Sequence, residues 1–172
     1  MELKKIRSFL QVLSYRFLWV NLILIFVFFY LSLVNPLFSP FLFVLLSNFY
    51  DMIGYYIVLK RQWSMPSDVY TALKEDFYVA GYRIIQNLFD YLLLFVIYQN
   101  FGFKYALSSF VLKLFGLQDV LFYLFLKIRF PSVWTWLKWT PLGVLKGNLK
   151  NSEVLIQSLT GVLIAILISL VL

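Results

Sequence analysis

The chain has 172 residues, of which 62% are hydrophobic and only 13% are charged, whereas soluble domains carry about 25% charged residues. So few charges do not cover the surface of a water-soluble globule, which excludes that class of protein and predicts lipid as the main solvent. The net charge of +7 comes from basic residues that lie between apolar segments and form no long tract, so we expect no nucleic-acid partner.

Five apolar segments are each long enough to cross a bilayer, whose hydrocarbon core of about 30 Å takes about 20 helical residues. These predicted spans, numbered one to five in chain order, occupy residues 17–34, 37–59, 77–98, 105–126 and 154–172. We therefore predict one all-α membrane domain over residues 1–172, a polytopic bundle of five transmembrane helices in the cell membrane. Pro36 and Pro40 predict a tight turn after span one, and Gly102 predicts another after span three.

The basic residues lie almost entirely on one side of these spans. Lys104 is the only basic residue that the predicted order places in a connection on the opposite side. Because basic residues are enriched in cytoplasmic loops, this asymmetry predicts a cytoplasmic N-terminus and an external C-terminus. The basic residues on the predicted cytoplasmic side are Lys4, Lys5, Arg7, Arg16, Lys60, Arg61, Lys74, Lys127, Arg129, Lys138, Lys146 and Lys150.

Polar residues recur at helical spacing within three of the spans. In span three, the spacing i, i+3, i+4 and i+7 places four polar side chains on one helix face. Spans two and four carry similar groups, and all of them are expected to face the interior of the bundle. The stripes are Arg83, Gln86, Asn87 and Asp90 in span three, Ser47, Asn48, Asp51, Gly54 and Tyr55 in span two, and Gln118 and Asp119 with Tyr123 in span four.

A count of 1.5 Å per helical residue places Asp51, Arg83 and Asp119 at one depth in the cytoplasmic half of the bilayer, with Asp90 further out. We predict that the three Asp and Arg83 form a catalytic group. The flanking polar residues are predicted to bind substrate, namely Asn48, Asn87, Gln86, Gln118, Tyr55 and Tyr123. The alternative is structural: Arg83 pairs with one Asp, and the other polar groups form hydrogen bonds between helices.

One Arg does not neutralise three Asp, so either a cation binds among them or at least one Asp is protonated. The chain contains no Cys and no His, which excludes thiol nucleophiles, Cys or His zinc sites, His-ligated haem and cysteine-held iron–sulfur clusters. A metal held by Asp51, Asp90 and Asp119 would be Mg²⁺ or Mn²⁺, which prefer oxygen ligands.

Lys113 lies near the middle of span four and allows two interpretations. It could pair with Asp90, which lies at a similar depth, or it could mark a span that is broken near Gly116. The pairing would neutralise a second carboxylate, whereas the break would make the first half of span four partly re-entrant.

Two other segments have recognisable membrane signatures. The connection over residues 127–152 carries Trp134, Trp136 and Trp139 among lysines, which predicts either an interfacial belt or a lid that covers the buried site and binds lipid phosphates. Gly161, Ala165 and Ser169 recur every four residues in span five. Such a stripe allows close helix packing, either within the chain or against another copy or a complex partner.

Three functions fit these features. The first is a membrane-embedded enzyme that acts on a membrane lipid or an isoprenoid-like substrate, with Asp residues as acid and base or as cation ligands and Arg83 on an anionic headgroup. The second is a proton or cation conduit. The third is a structural or assembly subunit of a larger membrane complex.

Overall fold

The computed structural model describes residues 16–54 and 75–172, and within them the fold is a bundle of α-helices with no strand. The all-α prediction is therefore confirmed. The helices are α1 (Arg16–Val34), α2 (Ser39–Asp51), α3 (Glu75–Phe101), α4 (Phe103–Leu114), α5 (Leu117–Leu126), α6 (Pro141–Lys146) and α7 (Asn151–Val171), with short 3₁₀ helices at Pro36–Phe38 and Leu137–Trp139. Tyr55, the basic residues between spans two and three, and Lys4, Lys5 and Arg7 lie outside the described residues.

Two helices in the described part are long and apolar enough to cross a membrane, Pro36–Gly54 and Asn151–Val171. Helices α4 and α5 would supply a third crossing if the bent pair is one span, since their axes meet at 64°. Leu18–Val34 in α1 is apolar but shorter. The described chain therefore contains two or three candidate spans within a helical bundle.

The turn between α1 and α2 forms where the prolines predict it. Asn35 accepts a hydrogen bond at Oδ1 from the backbone N–H of Leu37 at 3.0 Å, and the Ser39 hydroxyl donates to the carbonyl of Pro36 at 2.8 Å. The two helices then pack as a hairpin in which the side chain of Asn21 donates to the carbonyl of Leu45 at 3.1 Å. These bonds satisfy polar groups that would otherwise face an apolar interior.

The fourth predicted span is interrupted at Gly116, as one of the two interpretations of Lys113 anticipated. Gly116 has φ of 78° in the left-handed region, which L-residues rarely adopt and which ends α4 before α5 begins. The carbonyl of Phe115, exposed by the break, accepts hydrogen bonds from Gln157 at 3.3 Å and Ser158 at 3.1 Å. Helix α7 therefore supplies the donors that make the broken helix tolerable in an apolar environment.

The small-residue stripe of α7 packs within the chain. A Cβ at Gly161 would lie 2.4 Å from the Cβ of Phe115, so only glycine fits there. Ala165 and Ser169 are buried, and the Ser108 hydroxyl donates to the carbonyl of Ala165 at 2.9 Å and lies 2.8 Å from the Ser169 hydroxyl. The stripe therefore packs against α4 and Phe115 within the chain, and the contact with a partner through these residues stays a prediction.

The connection between α5 and α7 is folded against the bundle. Trp134 is fully buried and pairs with Leu149 in an isolated antiparallel bridge, with Trp134 N donating to the Leu149 carbonyl at 2.8 Å. Thr140 caps α6 by accepting from the backbone N–H of Gly143 at 3.3 Å. Trp136 and Trp139 remain 38% and 46% exposed. The segment therefore holds two indoles at defined positions over the helices.

Candidate functional site

A cavity of about 280 Å³ opens between α2, α3, α4, α5 and the connection that follows α5. Seven of its nine lining residues are charged or carry a side-chain amide, although the surrounding helices are apolar. Ligand sites typically occupy about 300–1,000 Å³, so this cavity has the size of a small polar group rather than a whole lipid. It is lined by Asp51, Arg83, Gln86, Asn87, Lys113, Gln118, Asp119, Trp136 and Trp139.

Asp51 in α2 is buried and receives donors from two other helices. The Tyr82 hydroxyl donates to Oδ1 at 2.9 Å, and the Gln118 side chain donates to Oδ2 at 3.0 Å. The Arg83 guanidinium lies 3.7 Å from Oδ1. Asp51 therefore connects α3 and α5, and the predicted pairing of Arg83 with one of the Asp residues is present.

Gly54 explains how Tyr82 reaches this carboxylate. A Cβ at Gly54 would lie 2.5 Å from a ring carbon of Tyr82, so any side chain there would displace the ring. The same ring forms part of a second, apolar cavity of about 410 Å³. Tyr82 therefore lines the apolar cavity and donates to Asp51, which lines the polar one.

Asp90 is buried behind the cavity wall. Its two carboxylate oxygens accept hydrogen bonds from the Ser47 hydroxyl and the Lys113 ammonium group. The predicted Lys113–Asp90 pair is therefore present together with the break at Gly116, although the two had been alternatives. Asp90 does not line the cavity itself, but it holds Lys113 at the cavity wall.

Asp119 in the first turn of α5 lines the cavity and contacts the connection that follows α5. Its Oδ1 accepts a hydrogen bond from Trp136 Nε1 at 3.0 Å. Trp136 in turn stacks on Tyr123, with ring centroids 6.2 Å apart and planes inclined by 15°. The connection therefore covers the cavity at Asp119, which is the geometry expected of the predicted lid.

Six of the predicted site residues come together around the cavity, and three do not. Asn48 is fully buried against α1, where its side chain donates to Asn21 Oδ1 at 3.4 Å, so it does not line this cavity. Asp90 and Tyr123 lie behind the wall. The six residues that line the cavity as predicted are Asp51, Arg83, Gln86, Asn87, Gln118 and Asp119.

Sequence reasoning gave no site role to Tyr82 or Lys113. Tyr82 lies four residues before Gln86, so helical spacing alone would have placed it on the polar stripe. Lys113 had been recognised as an intramembrane charge, but no pattern linked it to the cavity. Trp139, which had been interpreted as part of a belt or lid, also lines the wall.

The predicted three-carboxylate metal centre does not form. Among residues 16–54 and 75–172, no three acidic side chains lie close enough together to hold a metal ion. The reason is that Asp51, Asp90 and Asp119 each face different donors, which are Tyr and Gln, Ser and Lys, and Trp respectively. The three carboxylates therefore lie in the same part of the bundle but do not converge on a common point that could bind a metal ion.

No protein family, curated protein or solved structure matches the chain.

Proposed function

We propose that the chain is a five-span protein of the cell membrane with a cytoplasmic N-terminus and an external C-terminus. The asymmetry of the basic residues supports this topology, as do the apolar helices of the bundle. Helix α3 has 27 residues and would be about 40 Å long at 1.5 Å per residue, which exceeds the hydrocarbon core. Its polar face would be sheltered by the other helices around the cavity.

The absence of native cysteine makes this topology directly testable. Asn100 lies at the end of α3 and Asn148 lies in the connection before α7, and both side chains are exposed. We expect an impermeant maleimide to label Asn100→Cys in intact cells and Asn148→Cys only after the membrane is opened. Labelling of both residues from one side would contradict the proposed order of spans.

We further propose that the protein is an enzyme that acts on a membrane lipid or isoprenoid-like substrate in the cavity. The observation that carries this proposal is a polar cavity in which carboxylates, basic groups and indoles from five separate segments meet. Ionisable residues within a membrane are costly and usually mark function. We assign Asp51 and Asp119 as acid and base, and Arg83 as the contact for an anionic headgroup.

The polar cavity and the apolar cavity that Tyr82 lines suit such a substrate. The polar cavity would receive the headgroup, and the neighbouring apolar cavity would receive the start of the hydrocarbon chain. The latter is lined by Leu46, Phe49, Tyr50, Ile53, Gly54, Tyr82 and Phe89. Gln86, Asn87 and Gln118 would orient the headgroup through hydrogen bonds, and Asp90 would position Lys113.

Turnover can be tested with the purified full chain in vesicles made from the lipid extract of its expression host. Mass spectrometry of the lipids should show conversion of one headgroup class by the wild type. Asp51→Asn and Asp119→Asn should lower that rate by about 100-fold or more, since acid–base catalysis typically contributes about 10²–10⁴-fold. Arg83→Ala should weaken substrate binding.

Glu153→Gln is the matched control, because this carboxylate pairs with Lys146 away from the cavity. It should leave turnover unchanged. The enzyme proposal is lost if folded wild type converts no lipid, or if the cavity variants convert lipid at the wild-type rate.

A proton or cation conduit is the second candidate, and the break at Gly116 favours it. Broken helices beside charged residues are common at the ion sites of transporters, and here the helix axes bend by 64° close to Lys113 and Asp119. This proposal predicts flux in liposomes that depends on Asp119 and on a pH gradient. Folded protein that produces no proton or cation flux in liposomes would rule out the conduit proposal.

A further inference from the structure

The charges around the cavity do not cancel within the described part of the chain. Arg83 lies beside Asp51 at 3.7 Å, and Lys113 pairs with Asp90. Neither basic residue forms an ion pair with Asp119, whose described partner is the neutral indole of Trp136. Two basic groups therefore face three carboxylates, and the excess negative charge lies at Asp119.

The surroundings of Asp119 identify the kind of cation that would balance it. The indoles of Trp136 and Trp139 line the same cavity as Asp119, and the faces of Trp rings attract ammonium groups by cation–π interaction. Among the described residues no group of three acidic side chains could hold a divalent metal, whereas an organic ammonium group needs only a carboxylate and aromatic faces. The cavity lining also includes Arg83, Lys113 and Asn87, which are suitable donors for a phosphate.

We propose that the cavity binds a zwitterionic phospholipid headgroup, with its ammonium group between Asp119 and the two indoles and its phosphate toward Arg83. This inference rests on the proposed function and specifies its substrate class. A volume of about 280 Å³ accommodates a phosphoethanolamine or phosphocholine group, while the hydrocarbon chains remain outside. The ammonium group would compensate the charge of Asp119, and the negative charge of the phosphate would fall beside Arg83 and Lys113, which also contact Asp51 and Asp90.

The test compares short-chain lipids that differ only in the headgroup, using the full chain purified in detergent. The probes are dihexanoyl phosphatidylethanolamine, phosphatidylcholine and phosphatidylglycerol, and titration with calorimetric detection gives their dissociation constants. We expect the two zwitterionic lipids to bind about tenfold more tightly than phosphatidylglycerol. One contact between the ammonium group and a charged carboxylate is expected to change the dissociation constant by about this factor.

Asp119→Asn is the decisive variant, because it keeps the shape and an acceptor for Trp136 but removes the charge. It should abolish the preference by weakening the zwitterionic lipids about tenfold while leaving phosphatidylglycerol unchanged. Glu153→Gln should bind all three lipids as the wild type does. Equal binding of all three lipids to the wild type, or an unchanged preference in Asp119→Asn, would overturn the inference.

Trp139→Leu provides a second variant that does not depend on the carboxylate. It should weaken phosphatidylcholine by about threefold or more through loss of the cation–π contact, whereas Trp139→Phe should retain most of the affinity. Equal affinity of the Leu and Phe variants for phosphatidylcholine counts against the indole contact.

Two further arms separate the possible failures. If none of the three lipids binds to folded wild type, the headgroup inference fails, and the proposed function fails with it only if the vesicle assay also shows no lipid conversion. If lipids bind without regard to the ammonium group, only the headgroup inference fails. Soluble phosphocholine that binds as tightly as the lipid would support the ammonium site but overturn its assignment to a lipid.

Discussion

The Lys113–Asp90 pair gives the sharpest prediction about stability. The pair joins α4 to α3 through a carboxylate that is 2% exposed and an ammonium side chain that is 19% exposed. Ser47 in α2 donates to the same carboxylate. Three helices therefore meet at one buried charge pair, and removing either partner leaves the other charge uncompensated.

Breaking a buried pair by removing one partner typically costs about 3–5 kcal/mol. Lys113→Met should be near the upper end of this range, because it leaves the more deeply buried charge of Asp90 alone. Asp90→Asn should cost less, because the Lys113 side chain lines the cavity and is 19% exposed. The double variant Asp90→Asn with Lys113→Met carries neither charge and keeps the acceptor for Ser47, so it should be more stable than Lys113→Met alone.

Reversible unfolding of the purified protein in mixed micelles measures these free energies as a double-mutant cycle. The exposed pair between Lys146 and Glu153 is the control, since Lys146 is 53% exposed and Lys146→Met should cost less than about 1 kcal/mol. Losses that simply add in the double variant would refute the argument, because they would mean that the two charges do not compensate each other in the bilayer.

Three further substitutions test the packing around the site by the same unfolding measurement. Gly161→Ala should lower the free energy of unfolding by about 1–3 kcal/mol through overpacking, because its Cβ would lie 2.4 Å from another side chain. The control Gly81→Ala, with no atom within 4 Å of its Cβ, should be neutral or slightly stabilising. Equal effects of the two substitutions would be inconsistent with the packing at Gly161. Gly116→Ala should cost about 1–2 kcal/mol because the residue has a φ of 78°. Gly116→Asn should cost less, because Asn adopts a positive φ more readily than Ala. An Ala variant as stable as the wild type would argue against the left-handed turn. Tyr82→Phe removes the donor to the cavity carboxylate and should cost about 1.5–3 kcal/mol, whereas an unchanged stability would mean that this bond is not formed.

The helical class and most of the cavity could be predicted from the sequence, because polar residues in apolar helices turn away from lipid. The spacing of Arg83, Gln86 and Asn87 places them on one face of α3, and all three line the cavity. Asp51 and Asp119 could be added by counting depth along their helices. In each case the helical periodicity, together with the preference of polar side chains to turn away from lipid, was enough to predict which way the side chain points.

The pattern fails where a helix face touches two neighbours. Asn48 and Asp51 are three residues apart, or about 60° around the helix at 3.6 residues per turn. Asn48 nevertheless bonds Asn21 in α1, while Asp51 bonds Gln118 in α5. Periodicity identifies the buried face of a helix but not the neighbouring helix that each residue meets. Which residues of a stripe line the cavity and which bond to another helix therefore depends on how the helices are arranged.

The break at Gly116 shows why the two charges of the fourth span could not be assigned to one site from the sequence. Lys113 and Asp119 are six residues apart, so a continuous helix would separate them by about 9 Å along its axis and about 240° around it. Such a helix would direct the two side chains to different neighbours. The bend of 64° brings both to the wall of one cavity, and α7 stabilises that bend by donating to the exposed carbonyl of Phe115. The charge distribution of the site therefore depends on a glycine and on two polar residues of α7, Gln157 and Ser158, neither of which lines the cavity.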